Sequence, residues 1–328
     1  MPSFRTDFPA QPANFYLSHQ DPVFLIGSCF TEHIGTRLVA GKFPTVVNPC
    51  GIVYNPVSMA RCLERLWSGD QPFLAAEIFE HQGLWHSWEH HGHFSHPDRE
   101  AMLGALNIAY SAVARALRQS NRLLLTLGTA DVFLLRETGP VVANNHKMPA
   151  AMFHSRRLGV DEIVQDVTAV LQKIKAARPD FQTILTVSPV RHLRIGAVEN
   201  QRSKATLVLA CAEICTRLPF AHYFPAYELM LDDLRDYRFY AADMIHPSEV
   251  AVDYIWQHFA DTFFNAETRA LLARIEKINT AVRHRPFHPH TAQHRAFAAS
   301  QLAVIENLAN AHPFLDFSKE IQHFRLPG

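Results

Sequence analysis

We expect an α/β fold with a doubly wound parallel sheet of five strands, on the basis of two features of the sequence. Short apolar runs that favour strands alternate with longer segments that favour helices. Each apolar run ends abruptly in a polar segment that contains Gly or Pro. An alternation of strand and helix favours parallel strands with helices on both faces of the sheet.

The predicted elements can be placed along the chain. The strands occupy residues 23–26, 45–47, 122–127, 183–187 and 222–224. The helix-like segments that separate them occupy residues 31–40, 56–67, 99–119, 160–177 and 201–218.

Two insertions interrupt this alternation. Residues 68–98 are rich in histidine and aromatic side chains, and residues 132–155 begin with an alternation around positions 138 and 139 that is typical of a β-hairpin. We expect both insertions to overhang the same edge of the sheet. After about residue 265 the sequence is helical and amphipathic, so we expect an α/β domain over residues 1–265 and a helical extension over residues 266–328.

Composition and charge indicate a globular protein without a strong electric field. Of its 328 residues, 48% are hydrophobic and 19% are charged, and Lys plus Arg equals Asp plus Glu at 31 each. This balance argues against nucleic acid and membranes as partners and favours a small molecule or a glycan. It leaves the oligomeric state open.

Three negative features favour a cytoplasmic location. The five cysteines, an odd number without a CxxC pair, are typical of a reducing compartment. Residues 1–8 lack the basic region followed by an apolar region that a signal peptide needs. No apolar run is long enough to span a bilayer.

The first segment that suggests chemistry is Gly-Ser-Cys-Phe-Thr at residues 27–31, between the first strand and the first helix. Glycine lets the backbone bend sharply there. A thiol or hydroxyl at this place meets the positive end of the helix dipole, which favours its anionic form. A small polar residue that merely caps the helix is the alternative.

The second segment is Asp-Met-Ile-His at residues 243–246. On a helical turn, side chains three residues apart face the same way, so Asp243 can hold one nitrogen of His246 while the other points at a nucleophile. A solvated surface pair is the alternative. Because a doubly wound sheet gathers its active-site groups at the carboxyl ends of its strands, the two segments predict one assembled site.

The order and separation of these segments resemble the SGNH/GDSL hydrolase superfamily. More narrowly, the chain is similar to the GSCFA family in several segments, which occupy residues 27–30, 48–56, 126–130, 188–192, 199–205 and 243–246. The resemblance covers most of residues 20–260. It implies a flavodoxin-like strand order of the SGNH hydrolase type, with the catalytic centre in the α/β domain.

The resemblance also implies an acyl ester hydrolase that forms a covalent acyl-enzyme, without cofactor or metal, on an acylated sugar or small metabolite. When the superfamily's Gly-Asp-Ser is laid on residues 27–29, Cys29 takes the place of the nucleophilic serine and Ser28 that of the aspartate. The reverse, in which Ser28 attacks and Cys29 only packs, remains open. His246, oriented by Asp243, is then the base.

The oxyanion hole implied by the resemblance is incomplete. The backbone N–H of Gly51 would join that of Cys29 in holding the developing negative charge. The superfamily carries asparagine in its third block, but Ala130 stands at that position here. Thr129 is expected to supply the missing donor, or else Asn144 and Asn145 from the second insertion, with Asn145 as the preferred one of the two.

Further side chains are expected to bind the substrate. They are Asn48, Asn55, Trp85, His86, Asn144, His146, Lys147, His192 and Arg202. The histidines of the first insertion also invite a zinc hypothesis. Because the triad accounts for hydrolytic chemistry without a metal, a lid or substrate wall is the favoured role of that insertion.

Two other functions stay open. An acyltransferase could use the same triad, since a thioester intermediate reacts with amines more readily than an oxygen ester does. A non-catalytic binding module is the other alternative, because the third-block asparagine is missing.

Overall fold

The computed structural model describes residues 8–69, 71–137, 139–288 and 290–325. Residues 1–7, on which the expected absence of a signal peptide rests, lie outside this range, as does position 138 of the predicted hairpin.

The elements follow one another in the order expected of an α/β protein. The strands are β1 (Val23–Gly27), β2 (Thr45–Val47), β3 (Ile78–His81), β4 (Leu84–Ser87), β5 (Arg122–Leu127), β6 (Asp131–Leu135), β7 (Val141–Val142), β8 (Phe153–Arg157), β9 (Gln182–Val187) and β10 (Ala221–Phe224). The helices are α1 (Cys29–Ala40), α2 (Pro56–Ser68), α3 (Arg99–Gln119), α4 (Val160–Ala177), α5 (Ala197–Arg217), α6 (Ala226–Glu228), α7 (Glu249–Phe263), α8 (Ala266–Arg283), α9 (Ala292–Ala311) and α10 (Ser318–Arg325).

The central sheet has five parallel strands in the order β2-β1-β5-β9-β10. Counted among the sheet strands alone, this is the flavodoxin-like order 2-1-3-4-5. The predicted fold class is therefore confirmed. The direction of winding reverses between β1 and β5, so the crevice of the sheet opens where these two strands end.

Helices cover both faces of this sheet, and alternate residues of each strand point to different faces. Phe24 and Ile26 of β1 belong to a large apolar core with α2, α3, α4 and α5. Val23 and Leu25 belong to a second core with α1 and α7. Because both faces are covered, the strands are continuous apolar runs, and such runs are the pattern that predicted them.

Both insertions form small antiparallel sheets. The first contains the β3-β4 hairpin, whose turn residues Gln82 and Gly83 both have positive φ, at 53° and 78°. This hairpin was not predicted, since the histidine-rich sequence does not alternate cleanly. In the second insertion, β6 pairs with both β7 and β8. The segments touch, because the N–H of Ala143 donates to the carbonyl of Trp88 at 2.8 Å.

The C-terminal helices α8, α9 and α10 enclose an apolar cluster of their own. They contact the α/β part through the amide of Asn279, which donates to the carbonyl of Ala40 at 2.8 Å, and through the ion pair of Lys42 with Glu320 at 2.6 Å. Within the described ranges, none of the helices combines the length and the apolarity needed to cross a bilayer.

Candidate active site

The turn after β1 presses closely against β5. A Cβ atom on Gly27 would lie 2.5 Å from the carbonyl oxygen of Thr126, so only glycine fits here. The N–H of Ser28 donates to the same oxygen at 3.1 Å. The sequence thus places residues 28 and 29 at the switch point of the sheet.

Ser28 and Cys29 have different surroundings although they are adjacent. Ser28 is 1% exposed, and its Oγ accepts a hydrogen bond from the N–H of Phe30 as the N-cap of α1. Cys29 is the first residue of α1, is partly exposed and lines a cleft. Ser28 also borders the cleft, but the thiol of Cys29 is the more exposed of the two side chains.

The cleft has a volume of about 440 Å³ and lies at the carboxyl ends of β1, β5 and β9. It brings Cys29 and His246 into one cavity, although they are more than two hundred positions apart in the sequence. Both insertions contribute to its wall, the first through His91 and the second through Phe133 and Asn145. The expectation that they overhang a common edge agrees with this arrangement.

The carboxylate of Asp243 holds the imidazole of His246, with 2.6 Å between Oδ2 and Nδ1. The predicted helical turn is wrong, because Met244 has a φ of 58° and residues 243–246 form no helix. The carboxylate organises the turn itself: its Oδ1 accepts from the N–H groups of Ile245 and His246 at 2.9 and 3.0 Å. This arrangement leaves Nε2 as the ring nitrogen that can exchange a proton with a group in the cleft.

These hydrogen bonds also keep Asp243 ionised. The N–H of His246, its imidazole and the N–H of Ile245, in that order, lower the pKa of the Asp243 carboxyl to about 2. The carboxylate is therefore charged at every pH at which the imidazole could act as a base.

The thiol of Cys29 is under opposing influences. Burial raises its pKa, and the nearby Glu32 carboxylate raises it further. The N–H groups of Cys29 and Phe30 at the start of α1 act in the opposite direction, as does the Lys204 ammonium. Because the net effect is upward, the thiol needs a base to become a nucleophile near neutral pH.

The floor of the cleft is held by polar residues on one face of α5. The Oδ1 of Asn200 accepts from the N–H of His192 at 2.8 Å, and the Oγ of Ser203 accepts from the N–H of Ala130 at 2.8 Å. The Nζ of Lys204 donates to the carbonyls that follow β5 and β9. Spacings of three and four residues put these side chains on one helix face, and that pattern is the signal from which they could have been found.

Gly51 does not supply the expected oxyanion donor. Its N–H donates to the carbonyl of Asn48 at 2.8 Å, and Gly51 is not among the residues that line the cleft. Asn48 is also not a substrate contact in this structure, because it is buried and its Oδ1 accepts from the N–H of Gly27 at 2.9 Å.

Residues 128–130, where a third oxyanion donor was expected, likewise make hydrogen bonds within the protein. The N–H groups of Gly128 and Thr129 both donate to the carbonyl of Tyr54, at 2.8 and 3.1 Å. Ala130 is fully buried, and the hydroxyl of Thr129 lies 3.0 Å from that of Ser203. Thr129 does reach the cleft lining, but no amide side chain takes the place of the asparagine at this block.

The residues expected to bind substrate fall into two groups. Asn55, Asn144 and His192 line the cleft, as does Asn145, which was expected to be an oxyanion donor. Trp85, His86, His146, Lys147 and Arg202 are not part of the lining.

The residues of the second group lie outside the cleft lining, and most of them contact other parts of the protein. Trp85 lies under the guanidinium of Arg99, 5.1 Å from the ring centroid. The Nδ1 of His86 is 2.6 Å from the hydroxyl of Ser95, and the Nε2 of His146 is 2.7 Å from the carbonyl of Ser87. Lys147 is exposed, and Arg202 pairs with Glu199 on the surface of α5.

The histidine-rich insertion is held together by aromatic packing. Trp88 stacks on Phe79 with 3.7 Å between the ring centroids, and the Nδ1 of His90 lies 3.0 Å from the hydroxyl of Ser87. Among the residues that the structure describes, no group of three or more His, Cys, Asp or Glu side chains is arranged to hold a metal ion.

Comparisons with known proteins place the chain in a family. None of the curated proteins matches the sequence. Three solved chains match, among them a candidate platelet activating factor from Streptococcus pneumonia, with 12% identity, a TM-score of 0.40 and coverage of 74% of this chain and 83% of that one. Residues 275–326 match the C-terminal domain of GSCFA domain proteins. Residues 22–259 match the GSCFA family, and the chain therefore belongs to this family.

Proposed function

We propose that this protein is an acyl ester hydrolase in which Cys29 is the nucleophile, His246 is the general base and Asp243 orients the base. The observation that carries the proposal is the shared cleft, which contains both the thiol and an imidazole whose other nitrogen is held by a carboxylate 2.6 Å away. We further propose kinship with the SGNH/GDSL superfamily, which the order of the motifs and the 2-1-3-4-5 strand order support.

The reaction has two steps, and each uses only groups of this chain and the substrates. The Nε2 of His246 removes the proton from the Cys29 thiol, and the sulfur attacks the ester carbonyl carbon. The tetrahedral intermediate expels the alcohol, which takes a proton from the imidazolium, and a thioester remains on Cys29. Water then attacks the thioester with His246 again as base, which releases the carboxylic acid and restores the thiol.

The developing oxyanion needs donors other than Gly51. The N–H of Cys29 is the first of α1 and therefore has no partner within the helix. We propose the amide of Asn55 as the second donor. Its Oδ1 is committed to the N–H of Ser58 at 2.8 Å, and the side chain lies at the cleft, so Nδ2 is the polar group left to donate.

The cleft also supports a class of substrate. Its wall includes the rings of Tyr54 and Phe133 together with the amides of Asn144 and Asn145. Aromatic faces beside amide groups suit a ring-bearing ligand with several hydroxyls, such as an acylated sugar, although an acylated small metabolite fits the same volume.

Mass spectrometry of the intact protein trapped with an activated ester tests the nucleophile. The wild type should gain one acyl group, Cys29→Ala should gain none, and Ser28→Ala should still be labelled, because the Ser28 hydroxyl is buried and caps α1. Cys215→Ala, which removes another partly exposed thiol, is the matched control and should be labelled normally. Label that persists in Cys29→Ala and vanishes in Ser28→Ala would reject Cys29 as the nucleophile.

Turnover and acceptor choice are tested on the same ester. His246→Ala should lower release of the alcohol by at least a hundredfold, as expected for the loss of a general base. Added amines and sugars then compete with water for the acyl-enzyme. A predominantly transferred acyl group would identify an acyltransferase, and a cleft that binds ester but never forms the thioester would identify a binding module.

The role of Asn55 can be separated from its capping of α2. Asn55→Ser keeps a good N-cap but removes the amide donor, so we expect unchanged stability and a loss of roughly a hundredfold in kcat. Ser58→Ala is the control, since the acceptor at residue 55 bonds only its backbone.

A further inference from the structure

We propose that Lys204 is a positioning residue whose ammonium group ties together the two loops at the floor of the cleft and balances the charge of the Cys29 thiolate. Lys204 lies on α5 and is 1% exposed, whereas most lysine side chains reach water. The inference rests on the proposed role of Cys29 as the nucleophile.

The contacts of Lys204 explain the first part of this role. Its Nζ donates to the carbonyls of Gly128 and Ser188, each at 2.7 Å. These residues directly follow β5 and β9, so one side chain joins the loops at the ends of two neighbouring strands. Gly128 also packs against Ser28, since a Cβ on Gly128 would lie 3.3 Å from the Cβ of Ser28. A shift of this loop would therefore move the turn that carries Cys29.

The charge of Lys204 explains the second part of its role, which is to balance the charge of the Cys29 thiolate. Burial of an ammonium group is unfavourable unless an anion or several dipoles compensate for the lost water. In the described part of the chain, no carboxylate forms an ion pair with Lys204, and its contacts are two carbonyls and the ring of Tyr227 at 5.7 Å. Gly128, which Lys204 binds, packs against the turn that carries Cys29, and a negative charge on Cys29 favours the charged form of Lys204.

The ionisation of the two groups is therefore coupled. Burial lowers the pKa of the Lys204 ammonium to about 7, and the Cys29 thiolate opposes this shift. Lys204 in turn opposes the rise in the pKa of Cys29. The other titratable groups around the pair are Glu32, Tyr54, His192, Tyr227 and His246.

Alkylation of Cys29 with iodoacetamide measures this coupling without any substrate. The rate is followed by peptide mass spectrometry from pH 5 to pH 10 in the wild type, in Lys204→Met and in Lys204→Gln. Below about pH 7, where Lys204 is charged, we expect Cys29 to be alkylated about tenfold more slowly in both variants than in the wild type, and this difference should shrink at higher pH. Lys204→Gln keeps an amide donor for the loops, so slower alkylation of this variant reports charge rather than lost packing.

Two controls fix the interpretation. Arg217→Met removes a positive charge from the exposed end of α5 and should leave the alkylation rate of Cys29 unchanged. Cys215, which is also partly exposed, should keep its own alkylation rate in every variant. Equal alkylation rates of Cys29 below pH 7 in the wild type and both Lys204 variants would overturn the inference.

If neither Lys204 variant folds, the reciprocal measurement uses folded protein. The side-chain NMR signal of ¹⁵N-labelled Lys204 is titrated in Cys29→Asp and in Cys29→Asn. The carboxylate of Cys29→Asp should raise the Lys204 midpoint above that in Cys29→Asn, and equal midpoints would reject the coupling. A raised midpoint beside a wild type without esterase activity would reject the proposed function but leave the coupling of Lys204 with position 29 in place.

Discussion

The Oδ2 of Asp243 lies 2.6 Å from the Nδ1 of His246, within a turn that the same carboxylate organises. One side chain thus fixes both the backbone that carries the base and the orientation of its ring. Because Asp243 is exposed, its contribution should be to catalysis much more than to stability.

Replacement of Asp243 by asparagine should separate these contributions. Asp243→Asn keeps the size of the side chain but removes its charge and favours the wrong tautomer of His246. We expect kcat for an aryl ester to fall by about 10²–10⁴. The control is Asp236→Asn, another exposed aspartate that bonds a backbone N–H. Equal losses in the two variants would contradict the proposed role.

The Asp243 carboxylate also predicts a pH dependence. Its pKa is about 2 in the folded protein and lower than in the unfolded chain. Its contribution to stability is therefore present above about pH 4 and is lost as the pH falls towards 2. The difference in melting temperature between wild type and Asp243→Asn should shrink when the pH is lowered from 6 to 3. A difference that grows on acidification would contradict this account.

Two glycines should respond to alanine with opposite signs. Gly27→Ala places a Cβ 2.5 Å from the carbonyl of Thr126 and should destabilise the protein by roughly 1–3 kcal/mol. It should also displace Cys29 and slow its acylation. Gly104 lies inside α3 with open space around it, so Gly104→Ala should stabilise by about 0.5–1 kcal/mol. Urea denaturation of both variants checks the two signs.

A buried histidine should make the protein sensitive to mild acid. His19 is 5% exposed and stacks on Phe43 at 4.1 Å, and burial lowers its pKa to about 4. Between about pH 6.5 and pH 4 the unfolded chain binds a proton that the folded protein does not, so stability falls as the pH is lowered through this window. His19→Phe should reduce the loss between pH 7 and pH 5 by on the order of 1 kcal/mol.

Denaturation with urea at pH 7 and pH 5 gives this loss for each variant. His288→Gln, at an exposed histidine, should lose as much stability on acidification as the wild type does. A wild-type protein that is equally stable at the two pH values would contradict the prediction for His19.

Arg191 should help to hold the turn that carries His246, although it does not contact Asp243. Its guanidinium lies 4.0 Å from the ring centroid of Tyr240 and also approaches the carbonyl of Met244 at 3.4 Å. Arg191→Met should lower kcat about tenfold, because the cation–π contact that steadies the turn is lost. Arg238→Met, at a more exposed arginine that pairs with Asp236, should leave kcat unchanged.

The sequence predicted those parts of the fold that rest on continuous apolar runs. All five strands of the central sheet are where buried segments such as 122–127 required them, because both sheet faces are covered. The β3-β4 hairpin was not predicted, because its sequence signal consists of little more than the turn at Gln82 and Gly83. Its aromatic residues Phe79 and Trp85 lie on opposite faces of the hairpin, so one face is not marked as the apolar one.

The site was less predictable because it depends on hydrogen bonds between distant segments. The N–H of Gly51 is engaged by the carbonyl of Asn48, a residue with a φ of 41°, and nothing in the sequence shows this turn. A single lysine on a helix, such as Lys204, suggests a solvated face. Its burial follows only from the way α5 lies across the ends of β5 and β9.

The loop that carries the imidazole of His246 has its two ends bonded to each other. Tyr240 and Pro247 form a β-bridge, and the N–H of Ala241 donates to the carbonyl of His246 at 2.8 Å. Asp243 and His246 therefore lie on one small loop that is tied together at its two ends. A displacement of the whole loop would change the distance between the imidazole and the sulfur of Cys29 but would leave the Asp243–His246 pair intact.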